Sequence, residues 1–314
     1  MIICESELKI SFQFMSIRIP ADVPEISKNE YVKNYNLITH NTGRLMLFAG
    51  DQKIEHLNDD FFGENVSTED NDPEHLFKIA SKAKIGVFAA QLGLIAQYGL
   101  DYPSLPYLIK LNSKTHLVKT AQSDPFSSLL HDIDQVIEFK KNSGLNVTAV
   151  GYTVYLGSEY EAQMLAECAQ VIYEAHQHGL LTVIWCYPRG KAVPDEGDKH
   201  LIAGAAGAMA SLGADFVKIN PPKKDGKTNP LLLKEATVSA GRTKVVCAGG
   251  SSKEVPAFLQ ELYDQIHIGG TSGNATGRNI HQKSLNDAVK FANAIFAITV
   301  EDKSVDEAIK IFNS

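Results

Sequence analysis

Short apolar runs alternate with amphipathic segments along most of the chain, and this pattern predicts a repeated unit of one strand, one loop and one helix. The runs that predict strands are Arg44–Ala49, Ile85–Ala89, Tyr107–Leu111, Val147–Tyr152, Leu181–Tyr187, Phe216–Asn220, Thr243–Ala248 and Gln265–Ile268. The segments with helical spacing are 22–40, 73–83, one ending at residue 100, 132–142, 159–178, 199–212, 230–240, 253–263, 281–298 and 305–312. Because strands and helices alternate, we expect parallel strands joined by crossover helices.

Eight such units over roughly 250 residues match an α/β fold of the (β/α)8 TIM-barrel class. The predicted barrel covers residues 41–300, with an N-terminal helical extension at 1–40 and an extra C-terminal helix at 301–314. A doubly wound open sheet produces the same local pattern and is the alternative. The loops favour the barrel, because the longer segments rich in glycine, proline and charge follow the strands, and in a barrel such loops meet at one face.

The composition excludes several classes of protein. With 44% hydrophobic and 21% charged residues, the chain of 314 residues can bury a sizeable core, and its net charge of −7 argues against a nucleic-acid partner. The four cysteines show no CxxC spacing and indicate reduced thiols. No apolar run reaches the ~20 residues of a membrane span and no secretory leader is visible, so we expect a cytoplasmic protein with no membrane partner. Met15 is an alternative start, which would remove residues 1–14.

One cation interrupts the sixth predicted strand. Strand parity places Phe216, Lys218 and Asn220 on one face, and Lys218 lies at the carboxyl end of that strand. A buried ammonium is costly unless it is paired or deprotonated, and a buried lysine of lowered pKa is suited to Schiff-base chemistry. A snorkelling or ion-paired lysine is the other interpretation of the same pattern.

Two further strand ends carry candidate chemistry. The fifth strand presents Trp185 and Tyr187 on one face and is followed by Arg189; these are either site residues or core aromatics with a surface cation. The first strand is followed by Asp51 and Glu55, which could handle protons or hold the charge of a lysine. Desolvation at the barrel mouth and the positive charge of a neighbouring Arg189 or Arg278 would lower the pKa of Lys218, whereas the negative charge of Asp51 would oppose that shift.

Two glycine-rich segments are predicted to follow the seventh and eighth strands and to open helices. Such turns let backbone N–H groups approach an oxyanion, and these two positions are the common phosphate site of this fold. Arg278 could add a charge-assisted contact. The residues of this predicted phosphate site are Gly249, Gly250, Ser251, Gly277 and Arg278. Glycines needed only for turn geometry are the alternative.

The ten histidines show neither an HExxH motif nor a cluster at the predicted strand ends. His176 and His178 share a helix end and are expected to be solvated. We therefore expect no metal and no cofactor, which disfavours a zinc-dependent aldolase.

The ordered combination of these motifs resembles the archaeal-type class I fructose-bisphosphate aldolase family over roughly residues 40–298. The motifs are Gly50-Asp51 with Ile54-Glu55-His56, Trp185-x-Tyr187-Pro188-Arg189-Gly190, Ala214-Asp215-x-x-Lys218, Gly249-Gly250 and Gly277-Arg278-Asn279-Ile280. The resemblance implies a metal-independent barrel that forms homo-oligomers and acts on a phosphorylated sugar. This chain departs from the family at Gln52, where the family commonly has histidine, and in the loop Asn220–Lys224.

The resemblance also implies residue roles. Lys218 would form the Schiff base, Tyr187 would be the general acid and base, and Asp51 would assist with protons and charge. Trp185 and Arg189 would line the substrate site, and the glycine turns with Arg278 would bind phosphate. The implied reaction is the cleavage of fructose 1,6-bisphosphate to dihydroxyacetone phosphate and glyceraldehyde 3-phosphate, or its formation from these two compounds. The alternatives are another lysine-dependent carbon–carbon transfer, by a related synthase or thiolase, and a non-catalytic sugar-phosphate-binding barrel.

Overall fold

Parallel strands close into a barrel in the computed structural model, which describes residues 17–224 and 226–314. Within those residues the eight barrel strands are β1 Leu45–Ala49, β2 Val87–Gln91, β3 Tyr107–Lys110, β4 Val147–Leu156, β5 Leu181–Pro188, β6 Phe216–Ile219, β7 Lys244–Ala248 and β8 Gly273–Thr276. Each strand pairs in parallel with the next along the chain, and β8 pairs with β1 to close the ring. The predicted (β/α)8 fold is confirmed, and the open-sheet alternative is excluded by the β8–β1 pairing.

The helices surround this ring. They are α1 Lys28–Thr39, α2 Gln52–Glu55, α3 Glu74–Lys82, α4 Leu92–Tyr98, α5 Ile133–Ser143, α6 Glu161–Gln177, α7 Lys199–Leu212, α8 Leu233–Ser239, α9 Val255–His267, α10 Arg278–His281, α11 Leu285–Thr299 and α12 Val305–Asn313. Short two-stranded ladders join Asn112–Ser113 to Ser128–Leu129 and Lys223–Lys224 to Lys227–Thr228. The expected alternative start at Met15 lies outside the described residues, as does Cys4.

Strand parity divides the core into two parts. Residues such as Leu47, Val183 and Phe216 point into the barrel, whereas their strand neighbours pack against the surrounding helices. The N-terminal helix α1 covers the amino end of the barrel, where the Tyr35 ring stacks on Phe216 at a centroid distance of 6.0 Å. The C-terminal helix α12 packs on α11 through Phe312 and Phe291. Closing one end of the barrel in this way leaves its carboxyl end as the accessible face.

The prediction for the eighth strand was wrong. Residues 265–267 are the last residues of the amphipathic helix α9, whose inner face includes the buried Gln265 and Ile266, and Ile268 caps that helix. The strand is instead Gly273–Thr276, which carries no run of large apolar side chains. Its glycine is required by the packing, since Gly273 has φ +130° and a Cβ there would lie 2.0 Å from the Leu45 carbonyl oxygen. Gly269 and Gly270 therefore precede the strand and lie at the opposite end of the barrel from Gly277.

In the described part of the chain, no helix has both the length and the hydropathy to cross a membrane.

Candidate active site

Lys218 projects into the barrel near its carboxyl end. Its alternation with Val217 and Ile219 places it on the same face as Phe216, and only 5% of the residue is exposed. It is the register partner of Trp185 on β5, and its amine nitrogen lies 4.9 Å from the centroid of that indole ring. Burial lowers the pKa of Lys218, while the carboxylates of Asp51 and Glu55 raise it and the Arg278 guanidinium lowers it.

The charge of Arg278 therefore helps to lower the pKa of Lys218, as expected. Arg189 was the other arginine expected to lower it, and its charge does not contribute. Its guanidinium faces Glu196, with Nε and Nη2 contacts of 2.8–3.0 Å. Arg189 nevertheless reaches the site, because its guanidinium carbon lies 5.7 Å from the centre of the Tyr187 ring.

Lys110 is a second buried lysine in the same barrel and was missed by the sequence reasoning. It ends β3 on the lumen face with Leu108, and its amine donates to Oδ1 and the carbonyl of Asn112 at 2.9 and 2.8 Å. Burial lowers the pKa of Lys110 to about 8 against the opposing charges of Asp51 and Glu55, and the charge of Lys218 adds to the lowering. The signal was available, since Lys110 interrupts an apolar strand just as Lys218 does.

Two carboxylates face the lysines from the loop after β1. Asp51 is 3% exposed, and its Oδ1 has no hydrogen-bond partner among the described residues. Glu55 accepts hydrogen bonds from the Tyr155 hydroxyl at 2.6 Å and from His116 Nε2 at 3.1 Å. Burial alone would raise the pKa of Glu55, but His116, the charge of Lys110 and Tyr155 hold it well below its usual range. Asp51 consequently offers a free acceptor, and Glu55 a fixed negative charge.

Trp185 and Tyr187 share one face of β5, as strand parity predicted, and in the structure this face is the lumen. The Trp185 indole N–H is buried and unpartnered within residues 17–224 and 226–314. Burial raises the pKa of the Tyr187 phenol well above its usual value, and the nearby charges of Glu55 and Asp51 act in the same direction. Tyr187 is therefore a neutral O–H donor at neutral pH, beside a free indole donor.

The two glycine turns lie side by side at the same end of the barrel. Asn279 joins them, because its Nδ2 donates to the carbonyls of Gly249 at 3.1 Å and Ser251 at 3.0 Å. Gly277 directly precedes α10, as expected of a turn that opens a helix. The turn after β7 is instead separated from its helix, because α9 begins only at Val255. A Cβ at Gly277 would lie 2.4 Å from Gln52 Nε2 and 2.7 Å from the Ala49 carbonyl, so this position requires glycine.

These groups converge on one cavity of about 200 Å³ at the carboxyl end of the strands. The predicted residues on its wall are Asp51, Trp185, Tyr187, Arg189, Lys218, Gly249, Gly250, Gly277 and Arg278. Ser251 is exposed and lies outside it. A larger cavity of about 530 Å³ lies at the opposite end of the barrel, next to α1, and contains none of these groups.

The structure corrects two expectations about histidines. His56 and His116, which are far apart in the sequence, meet Glu55 at the cavity mouth, with ligand atoms within 4.8 Å of one another. His176 is fully buried rather than solvated, between Asp22 at 2.8 Å and Asp215 at 3.2 Å, whereas His178 is exposed as expected. Both contacts join residues that are distant along the chain, which local sequence cannot reveal.

A (β/α)8 barrel whose carboxyl end holds a desolvated lysine with a tyrosine and an aspartate has the constellation of a Schiff-base enzyme. Comparison with known proteins gives the same class. Residues 45–283 match the DeoC/LacD family of aldolases. The chain belongs to this family, and within it to the archaeal-type class I fructose-bisphosphate aldolases, as its relatives show. It is therefore a class I aldolase, a lyase that acts on carbon–carbon bonds.

Several relatives are similar over most of their length. A Methanocaldococcus jannaschii protein named fructose-bisphosphate aldolase/6-deoxy-5-ketofructose 1-phosphate synthase is 59% identical over 296 residues, covering 94% of each chain. A class 1 fructose-bisphosphate aldolase of Halobacterium salinarum is 32% identical, over 85% of this chain and 94% of its own.

Solved structures agree. The fructose-bisphosphate aldolase of Slackia heliotrinireducens has a TM-score of 0.93 at 57% identity, covering 95% of this chain and 94% of its own. An archaeal fructose-1,6-bisphosphate aldolase has a TM-score of 0.73 at 30% identity, covering 86% of this chain and 99% of its own. That structure is described with its catalytic lysine covalently bound to the carbinolamine intermediate of the substrate.

Proposed function

We propose that this aldolase cleaves fructose 1,6-bisphosphate to dihydroxyacetone phosphate and glyceraldehyde 3-phosphate and catalyses the reverse condensation. In this proposal Lys218 forms the Schiff base with the substrate. The observation that supports the proposal best is the desolvated Lys218 amine in one cavity with Tyr187, Asp51 and the glycine turns. The names of relatives at 59% and 32% identity support the same substrate.

In the proposed mechanism the neutral amine of Lys218 attacks the ketone carbon C2 and forms a carbinolamine. Loss of water then gives an iminium. As the C4 hydroxyl gives up its proton to a base of the site, the C3–C4 bond breaks, its electron pair passes to the iminium, and C4 becomes the carbonyl carbon of the aldehyde. The aldehyde product leaves, and the resulting enamine is protonated at C3 and hydrolysed to release the ketone. Lys218 therefore needs a lowered pKa, which its burial supplies.

Proton transfer is assigned to Tyr187, with Asp51 in support. The high pKa of Tyr187 keeps it protonated until it donates, for example to the departing hydroxyl of the carbinolamine. Asp51 has a free Oδ1 that can accept from a substrate hydroxyl. Trp185 covers the lysine and offers its indole N–H to a substrate oxygen.

The glycine turns and Arg278 are assigned to a phosphate group of the substrate. Backbone N–H groups of Gly249, Gly250 and Gly277 with one guanidinium can surround a phosphate at this end of the barrel. Arg189 is assigned to the other end of the sugar. Its guanidinium would bind the substrate there and give up part of its ion pair with Glu196.

A second candidate follows from the relative at 59% identity, whose name also includes 6-deoxy-5-ketofructose 1-phosphate synthase. That activity would use the same lysine on a sugar with one phosphate. For the protein as a whole we propose a cytoplasmic homo-oligomer that works in glycolysis and gluconeogenesis, with residues 41–300 as the catalytic barrel.

The test combines borohydride trapping with a panel of phosphorylated ketoses. With fructose 1,6-bisphosphate, borohydride should inactivate the enzyme and leave a reduced adduct that mass spectrometry locates on Lys218. Lys218→Met should abolish the adduct, whereas Lys110→Met, the control with the second buried lysine, should still form it. An adduct on Lys110, or none with a substrate that is turned over, would overturn the assignment. A higher kcat/KM for the singly phosphorylated 6-deoxy ketose would favour the second candidate.

A further inference from the structure

The histidine cluster at the cavity mouth is not used by the proposed aldol chemistry. Glu55 and His56 follow one another at the end of α2, and His116 comes from the loop after β3. The imidazole rings of His56 and His116 lie 4.5 Å apart, centroid to centroid. One ligand atom from each of the three residues lies within 4.8 Å of the others. In the described part of the chain, no other three side chains of this kind meet so closely.

The cluster is held together before anything binds. The backbone N–H of His116 donates to the Glu55 carbonyl at 2.8 Å, which fixes the two loops against each other. The Glu55 carboxylate also accepts from His116 Nε2 at 3.1 Å. Binding would replace the proton of this hydrogen bond by the ion, and the three ligand atoms, which already lie within 4.8 Å of one another, would close to the ~2 Å bond lengths of zinc.

His56 has the support that metal-binding histidines usually have. Its Nδ1 is hydrogen-bonded to the Asp60 carboxylate, and Asp60 is 8% exposed. A carboxylate on one ring nitrogen fixes the ring and its tautomer, and leaves the other nitrogen, Nε2, as the ligand. The two residues are four positions apart in the segment that follows α2.

The donor set selects the kind of ion. Two imidazole nitrogens and one carboxylate oxygen suit zinc and its neighbours, whereas calcium and magnesium require sets of oxygen ligands. Three protein ligands leave a fourth position for water or for a substrate oxygen. The side chains of His56 and His116 are 20% and 30% exposed, so an ion can reach them from solvent.

We propose that Glu55, His56 and His116 bind a zinc-class dication at the mouth of the barrel, and that the bound ion obstructs the passage of the sugar to Lys218. The three ligands line the same cavity as Lys218, and a metal ion with its bound water would fill part of the 200 Å³ of that cavity. The bound ion would therefore inhibit the enzyme without taking part in the lysine chemistry. A chelator would then raise the activity of a metal-contaminated preparation.

Binding is tested by calorimetric titration of the full chain, freed of metal by dialysis against a chelator, with zinc chloride. One zinc ion should bind per chain. His116→Gln should weaken zinc binding by more than about tenfold, because it removes one of the three ligands. Asp60→Asn, which leaves all three ligands in place, should weaken it by about 10–100-fold. His200→Gln is the matched control, because His200 also pairs with a glutamate but has no second histidine beside it. Magnesium should give no saturable heat.

The obstruction is tested by initial rates with and without saturating zinc, each variant being compared with its own zinc-free rate. At a zinc concentration that saturates the wild type but lies below the weakened Kd of His116→Gln, wild-type turnover should fall at least tenfold and return with EDTA. The ratio of the His116→Gln rates with and without zinc should then stay near one. Absence of saturable zinc binding, or binding that persists in both His116→Gln and His56→Gln, would overturn the site. Full turnover by the zinc-loaded enzyme would overturn the obstruction. Calorimetry needs no substrate, so the binding outcomes do not depend on the proposed sugar. The obstruction rests on the proposed aldolase function and is measured with whichever ketose the zinc-free enzyme turns over.

Discussion

The amine of Lys218 lies 4.9 Å from the centroid of the Trp185 ring, and the two residues are register partners on adjacent strands of the barrel. The indole covers the amine, and this burial lowers the pKa of Lys218 because it disfavours the charged ammonium. The same ring lies 5.3 Å from the Lys110 amine. One aromatic side chain thus lies against both buried lysines. Asp51 and Glu55 act on both, whereas the Lys110 amine is also hydrogen-bonded to Asn112 and the Arg278 charge acts on Lys218.

Asp51→Asn should shift the pH dependence of imine formation to lower pH. The amine reacts only when neutral, and the Asp51 carboxylate raises the pKa of Lys218, so its removal leaves more neutral amine at a given pH. Arg278 has the opposite influence, and Arg278→Ala should move the rising limb to higher pH. The measurement is the rate of borohydride-trapped adduct against pH. Shifts of the same sign in both variants would contradict this electrostatic account.

Tyr187→Phe should slow turnover by about 10²–10⁴-fold, the usual contribution of a positioned acid or base. Imine trapping on Lys218 should remain detectable, because the lysine and its desolvation are unchanged. Tyr155→Phe is the matched control, since its hydroxyl donates to Glu55 at 2.6 Å and its loss should cost much less. Equal losses in the two variants would move the proton transfer away from Tyr187.

Arg278→Ala should weaken the binding of the phosphorylated sugar by roughly ten- to a hundredfold, because one charge-assisted contact contributes about 1.5–3 kcal/mol. Part of the loss should appear in kcat, since energy from a remote phosphate can stabilise the transition state. An unphosphorylated analogue should be nearly insensitive to the change. If both substrates lose equally, Arg278 does not bind the phosphate.

Gly277→Ala should disrupt the phosphate turn. The added Cβ would lie 2.4 Å from Gln52 Nε2 and 2.7 Å from the Ala49 carbonyl, and such overpacking costs about 1–3 kcal/mol of unfolding free energy. Gly204→Ala is the control: it lies in α7 with nothing within 4 Å of the added carbon, and should stabilise the protein by about 0.5–1 kcal/mol. Denaturant titrations with KM measurements check both. A stable Gly277→Ala enzyme of unchanged KM would refute this reading of the turn.

His176 should make the unfolding free energy fall as pH rises towards 9. Burial disfavours its charge, but Asp215 and Asp22 more than compensate and raise the pKa of His176 from 6.5 to about 9. The contribution is therefore fully present below pH 6.5 and is lost as pH rises through about 9, with an amplitude of about 3 kcal/mol. Urea unfolding across this range should show the loss in wild type and in His178→Gln, a neighbouring exposed control. The same slope in His176→Gln would assign the titration to another group.

Most of the barrel and much of its site were predictable because they depend on local alternation. Strand parity alone placed Lys218 and Phe216 on one face of β6, and Trp185 and Tyr187 on one face of β5, but it did not decide which face is the lumen. The same rule applied to residues 107–111 would have found Lys110. The eighth strand failed for the opposite reason: Gly273–Thr276 has no apolar run, and residues 265–268 have one that belongs to α9.

The sequence by itself therefore determined the repeat, the strand face that Lys218 shares with Phe216, and the two glycine turns, since periodicity and turn chemistry are encoded by neighbouring residues. Only the tertiary structure decided which distant groups meet. It joined the turns through Asn279, paired Tyr155 and His116 with Glu55, and enclosed His176 between two aspartates. These contacts join segments that follow or precede different strands. They meet because the parallel strands stand side by side around one barrel, whereas a local pattern specifies each unit but not which side chains of two units touch.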